Sequence, residues 1–193
     1  MKFNEFYSLT IVHSRDIILV KGVDYMNITK QKSQKTFDKQ AADYDTNIQG
    51  EHARKLYKPI IENLKNKNIH SILDLGCGTG ALLKEIKELN IAEQLFGIDI
   101  SPNMLEIAKN KLGNDATLIL GDSERLPFED SSFDAIVCND SFHHYPQPDI
   151  VEKEVSRCLK QNGVFIIGDC WQPIGARQIM NYYMKWRICG IIV

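Results

Sequence analysis

The sequence predicts an α/β protein: a doubly wound, mostly parallel sheet between two helical layers, a three-layer α/β/α arrangement. Three observations predict it. From residue 69 to 170, short apolar runs alternate with segments of helical spacing. Alternation of that kind gives parallel strands joined by right-handed crossovers. The polar motifs all fall at the carboxyl ends of the expected strands, where open sheets of this class bind ligands.

The chain divides into four parts. Residues 1–25 have no clear periodicity and form an N-terminal extension, read equally as sequence upstream of a start at Met26 or as an extra strand or cap. Residues 26–68 form a helical lid segment, with a short helix at Thr36–Tyr44 and a longer one at His52–Leu64, where Pro59 is placed to kink it. Residues 69–170 form the core. Residues 171–193 hold one helix, Ala176–Arg187, and an apolar tail from Ile188 to Val193.

Within the core, His70–Leu75 is the first strand. Ala81–Leu89 has apolar residues at 82, 83, 86 and 89, which is helical spacing. Gln94–Ile100 is the second strand. Ser101 is an N-cap residue, Pro102 suits the first helical turn, and Gly113 suits the C-cap of a helix ending at Leu112. Thr117–Leu120 is the third strand. Phe133–Asn139 is the fourth, so apolar that both its faces should be buried. Ile150–Leu159 is a helix ending near Asn162-Gly163, and Val164–Gly168 is the fifth strand.

Composition narrows the function. The chain has 193 residues, 44% of them hydrophobic, which fits one globular domain. A net charge of -2 and a pI near 6.2 argue against a nucleic-acid surface. Cys77, Cys138, Cys158, Cys170 and Cys189 are odd in number and form no CxxC pair, so neither disulfides nor a metal site are expected. No apolar run approaches the roughly 20 residues that span a bilayer, and the N-terminus does not resemble a secretory signal, so the expected location is cytoplasmic.

The first strand runs into Asp74-Leu75-Gly76-Cys77-Gly78-Thr79-Gly80 and then a helix. Glycines let the backbone turn tightly and approach a ligand, and the helix N-terminus presents unpaired N–H groups. Asp99 stands at the tip of the second strand, where a carboxylate accepts ribose hydroxyls, and Ile100 beside it could cover a ring. Asp122 and Ser123 follow the third strand, where a carboxylate can read an exocyclic amine. Each has a plainer alternative: a tight turn, a solvated turn Asp, an N-cap Asp. After the fourth strand come Asn139, Asp140, Ser141, Phe142, His143, His144 and Tyr145. His143 and His144 are the candidates for a general base, against a role in lining or packing the loop.

Residues 36–170 resemble the class I S-adenosylmethionine-dependent methyltransferases, in particular the ubiquinone/menaquinone-biosynthesis-like branch. The resemblance rests on the DxGxGxG loop, Asp99, Asp122 before Leu126-Pro127-Phe128, and the passage Glu154, Arg157, Leu159, Lys160, Gly163. It implies a Rossmann-like sheet, S-adenosylmethionine as cofactor and methyl transfer to a small-molecule acceptor by in-line displacement. It implies further that Asp74, Gly76, Gly78 and Gly80 hold the methionine part, Asp99 the ribose, and Asp122 and Ser123 the adenine. Asn139 would offer its carbonyl to the amino group, and Tyr44 would close over the cofactor. Cys77, Ile100 and Met104 complete the expected set.

The chain departs from the family after Cys170. The C-terminal antiparallel strands are missing, which suggests a truncated chain, or a short form that pairs its open fifth-strand edge with a second copy. The alternative function is therefore a cofactor-binding module with little turnover. A nicotinamide-dependent oxidoreductase is disfavoured by the absence of GxGxxG, and an RNA methyltransferase by the charge. A protein acceptor stays open.

Overall fold

The computed structural model describes residues 22–48, 50–169 and 190–192. Its elements are α1 (Gly22–Gln40), a 3-10 turn at Ala41–Asp43, α2 (Glu51–Leu64), β1 (Ile69–Leu75), α3 (Ala81–Glu88), β2 (Ala92–Asp99), α4 (Pro102–Leu112), β3 (Ala116–Leu120) and β4 (Phe133–Asn139), then a 3-10 turn at Phe142–His144, α5 (Pro148–Cys158), β5 (Leu159–Gly168) and β6 (Gly190–Ile192). The six strands form one sheet in the order β3-β2-β1-β4-β5-β6, and every pairing is parallel. The chain leaves β1 toward β2 and β3 on one side, then returns to β4 on the other. That reversal opens a crevice at the carboxyl ends of β1 and β4.

The central strands are buried on both faces, as their continuous apolar runs require. On one face Ile72, Ala135, Val137 and Ile166 pack against Ile60, Leu64, Leu83, Ile86, Leu105 and Leu112. On the other, Leu73, Leu75, Ile136 and Phe165 pack against Val151, Val155 and Cys158 of α5. Alternate residues of one strand thus feed opposite cores, the period-two rule of a pleated strand. A triad of edge-to-face rings, Phe96, Phe128 and Phe133, fills the second core beside the loop before β4.

Local signals set α4 as expected. The Ser101 hydroxyl accepts the Met104 N–H at 3.2 Å, Pro102 opens the first turn, and Gly113 takes φ 55° after the last. The helix α2 continues through Pro59.

The structure differs from the sequence reading at four places. The short helix expected at Thr36–Tyr44 is the end of the longer α1 and the turn after it. The helix before β5 stops at Cys158, earlier than the Asn162-Gly163 pair. That pair lies inside β5, where Phe133 pairs with Leu159 but Ala135 pairs with Val164, so extra residues bulge from β5 and Asn162 takes φ 69°. The β5 edge expected to be open is paired with β6 from the same chain, through Phe165 with Gly190, Ile166 with Ile191 and Ile167 with Ile192. The sheet accordingly has six strands rather than five. The helix expected at Ala176–Arg187 and most of the N-terminal extension lie outside the described residues. Among the described residues no helix is long and apolar enough to cross a membrane.

Candidate active site

The crevice holds a cleft of about 910 Å3, counting the space open to solvent. Small-molecule sites run to roughly 300–1,000 Å3. The cleft is floored by the carboxyl ends of β1 to β4 and roofed by α1, the turn after it and the start of α2.

The glycine loop is tied to its neighbour strand: the Gly76 and Cys77 N–H groups both donate to the Ile98 carbonyl, at 2.9 and 3.1 Å. Gly76 and Gly78 have φ of 70° and 52°, a region costly for other residues. A Cβ on Gly76 would lie 2.1 Å from Ser141 Oγ, whereas one on Gly78 would meet nothing within 4 Å. Gly78 therefore faces open cleft. Gly80 does not line the cleft. It caps α3, and a Cβ there would press on Leu112 and Ala108 of α4, so its role is helix packing.

Two carboxyls converge beneath the loop. Asp74 is 2% exposed, and its Oδ1 is buried with no hydrogen-bond partner. Burial, and then the charge of Asp99, push its pKa up to about 8. Asp99 accepts the Gly78 N–H on Oδ2 and the Ser101 N–H on Oδ1, both at 2.8 Å. Burial raises its pKa, against the N–H groups of Ser101, Gly78 and Ile100. A carboxylate offers about four acceptor sites, so Asp99 keeps capacity for a ligand hydroxyl. Cys77, Ile100 and Met104 line the same region, and burial pushes the Cys77 thiol well up, so it is no nucleophile.

Asp122 and Ser123 line the far end of the cleft, and both are engaged. Asp122 takes Lys30 Nζ on Oδ2 at 2.6 Å and the Glu124 N–H on Oδ1 at 2.9 Å. The Ser123 hydroxyl donates to the Tyr145 oxygen at 3.2 Å, as does that of Ser141 at 3.0 Å. Asn139 Nδ2 donates to the Ala53 carbonyl at 3.3 Å, while its Oδ1 is buried without a partner.

The lid is held by three side-chain ties. Lys30 bridges Asp122 and Glu124, at 2.6 and 2.5 Å. Asp38 accepts the Ser101 hydroxyl at 2.6 Å. Asp45 takes the Thr79 hydroxyl at 2.5 Å and Lys111 at 2.7 Å. Tyr44 lines the cleft with its ring edge-to-face to Phe37 at 6.3 Å, and Phe37 meets His144 at 5.1 Å. Burial, then Asp140, push the Tyr44 phenol up to about 12.

The two histidines separate. His144 lines the cleft, and burial followed by the neighbouring His143 lowers its pKa. His143 turns away from the lining toward Asp169. Its Nδ1 lies 2.5 Å from Asp169 Oδ1, and its N–H donates to Oδ2 at 3.0 Å. That bond raises the His143 pKa.

Sequence reasoning missed Lys30, Phe37 and Tyr57, and it named Asp140 and Tyr145 only within the segment after the fourth strand, with no role; all five line the cleft. The Glu154 and Arg157 pair proves to be scaffolding. Arg157 donates to the Leu126 and Phe128 carbonyls at 3.0 and 2.7 Å, and Glu154 accepts the Leu126 N–H at 2.8 Å, which fixes the loop after β3.

The donor set fits an adenosyl amino acid. The orphaned Asp74 oxygen suits an ammonium, the Asp99 lone pairs a ribose diol, and the open face of Gly78 a close backbone approach.

Comparison with known proteins agrees. A family profile described as a methyltransferase domain matches residues 73–167. Demethylmenaquinone methyltransferase of Thermotoga maritima is 32% identical over 163 residues, covering 81% of this chain and 71% of that one. Sterol 4-C-methyltransferase strm-1 of Caenorhabditis elegans is 35% identical over 125 residues, but the chain spans only 36% of its length. Among solved structures, the YcgJ protein of Bacillus subtilis matches with a TM-score of 0.57 and 27% identity, over 67% of this chain and 57% of that one. The cofactor common to this family is S-adenosylmethionine. The chain belongs to the class I S-adenosylmethionine-dependent methyltransferases of the ubiquinone/menaquinone type.

Proposed function

We propose that the protein methylates a small aromatic acceptor of the quinol type. The observation that carries this reading is the cleft itself: orphaned or half-used acceptors on the β1, β2 and β4 side, and an aromatic wall of Phe37, Tyr44 and His144 under the lid. The Thermotoga relative, named for a demethylated naphthoquinone, supports the acceptor class.

In this reading Asp74 and Asn139 receive the amino group, and the backbone of Gly76, Cys77 and Gly78 cradles the amino-acid part. Asp99 accepts the ribose hydroxyls, Ile100 and Met104 flank the adenine, and Asp122 with Ser123 meets its amine. The bound cofactor supplies an activated methyl group. The chain aligns the acceptor with it and, through the lid ties, excludes water. The near-neutral charge and the free thiols of Cys77, Cys138 and Cys158 among the described residues support a non-nucleic-acid acceptor and a reducing, cytoplasmic setting. Dimerisation through β5 is not part of this reading, because β6 occupies that edge.

The test is transfer of label from methyl-labelled S-adenosylmethionine to a demethylated naphthoquinol, beside a sterol and a peptide mixture. Label in the naphthoquinol alone is expected. Tight binding of S-adenosylhomocysteine with no transfer to any acceptor would instead favour a binding module.

A further inference from the structure

Asp140 sits where β4 ends, one residue past Asn139, and lines the cleft. Its N–H donates to the Gly168 carbonyl at 2.6 Å, which ties it to the end of β5. It takes φ 51°, a conformation that Asp and Asn tolerate better than other residues with a Cβ. Its Oδ1 is buried and has no hydrogen-bond partner. Behind it stand His143 and Asp169, and the ligand atoms of the three lie within 4.8 Å of one another. A buried carboxylate oxygen with no donor is costly unless a ligand supplies one.

We infer that Asp140 is the proton acceptor of the transfer step and that His143 and Asp169 position and tune it. The inference rests on the function proposed above and extends it to the residue that takes the proton of the acceptor's ring hydroxyl. The ring hydroxyl donates to Asp140 Oδ1, and its O–H bond breaks as the proton passes to the carboxylate. The electron pair left on oxygen attacks the methyl carbon, directly or through a conjugated ring carbon. The sulfur–methyl bond breaks and sulfur keeps its pair. When carbon attacks, the ring proton afterwards shifts to oxygen, so one proton is lost by either route. The positive sulfonium and the negative carboxylate are both neutral at the end.

The groups facing Asp140 agree with this role. Burial raises its pKa, His143 lowers it, Asp169 raises it and His52 lowers it. Tyr44, across the cleft on the lid, feels the Asp140 charge in turn. A carboxyl moved up from its ordinary range is better matched to taking a proton near neutral pH.

The experiment uses the full chain with 1,4-dihydroxynaphthalene under anaerobic conditions, and with 1,4-dimethoxynaphthalene, which has no proton to give. Wild type should methylate the diol only, with a rate that rises through one ionisation. D140N keeps the backbone preference and should fold. Its kcat should fall by about 100-fold or more, the lower end of general-base contributions. Its affinity for S-adenosylhomocysteine should stay within about threefold, and D140E should recover part of the rate. A second readout is independent of turnover: carboxyl-carbon NMR of aspartate-labelled protein, with D140N for assignment. The Asp140 carboxyl should titrate above the ordinary aspartate range, and higher still in H143Q.

Wild-type rates in D140N, or an Asp140 carboxyl that titrates as an ordinary aspartate, would overturn the assignment. A rate that needs added Mg2+ and vanishes with EDTA would overturn it in favour of a cation held by the same three residues. Wild type that binds S-adenosylhomocysteine but methylates no diol overturns the acceptor class. Wild type that does not bind it overturns the underlying function instead.

Discussion

The Gly78 N–H donates to Asp99 Oδ2 at 2.8 Å, so the glycine loop after β1 and the acidic tip of β2 form one hydrogen-bonded unit. The loop's three positive-φ glycines do different work within it. Gly78 faces open cleft and Gly80 faces α4. Left-handed backbone costs a residue with a Cβ about 1–2 kcal/mol. We expect Gly78→Ala to weaken S-adenosylhomocysteine binding by tenfold or more. Gly80→Ala, which adds a contact 2.9 Å from Leu112, should lower stability by about 2 kcal/mol and leave affinity within about threefold. Thermal denaturation and calorimetric titration, run on both variants, check the contrast.

Asp74, held at about 8 by burial, is mostly protonated in the ligand-free protein at pH 7. Its folded pKa lies above its unfolded value, so the native state binds the extra proton. The carboxyl therefore costs stability progressively as pH rises from about 4 toward 8. An ammonium placed on Oδ1 favours the carboxylate and expels the proton. Titration of S-adenosylhomocysteine at pH 7 in two buffers of different ionisation enthalpy should report release of up to about one proton. Asp74→Asn should report none from this site.

Lys30 joins α1 to Asp122 and Glu124, and its side chain is only 18% exposed. Burial disfavours its charge, but the two carboxylates outweigh that and raise its pKa. Lys30→Met removes the clasp while keeping most of the stem. Amide exchange across residues 30–40 should quicken by about threefold to tenfold, on the scale of a partly buried ion pair. Unchanged exchange would show that Asp38 and Asp45 hold the lid without it.

Arg157 fixes the loop after β3 through two carbonyls and Glu154. Arg157→Ala leaves those acceptors unpaired and should cost about 2 kcal/mol in urea unfolding. Cofactor affinity should change little, because no Arg157 atom lines the cleft.

The core strands were legible because apolar runs, glycines and acidic tips coincide there. The start of α1 was not, because residues 27–35 are polar apart from Ile28 and carry no apolar period. Asn162-Gly163 reads as a helix stop, yet the same positive-φ chemistry serves a bulge inside β5. The partner of β5 was hidden because a parallel neighbour returns only after a long crossover. Among site residues, Asp74 and Asp99 follow from position in a motif. Lys30 meets Asp122 from 92 residues away, a relation no local pattern encodes. Asp140 was passed over because what marks it, an orphaned oxygen beside a His–Asp pair, exists only once β4 and β5 lie side by side.

The most direct test of the cofactor site is calorimetric titration of S-adenosylhomocysteine into the wild-type protein and Asp99→Ala. Asp99 should accept the ribose hydroxyls in charge-assisted hydrogen bonds, so the wild type should bind in the micromolar range and the variant should lose at least about 1.5 kcal/mol, roughly tenfold. Equal affinities for the two proteins would contradict the site.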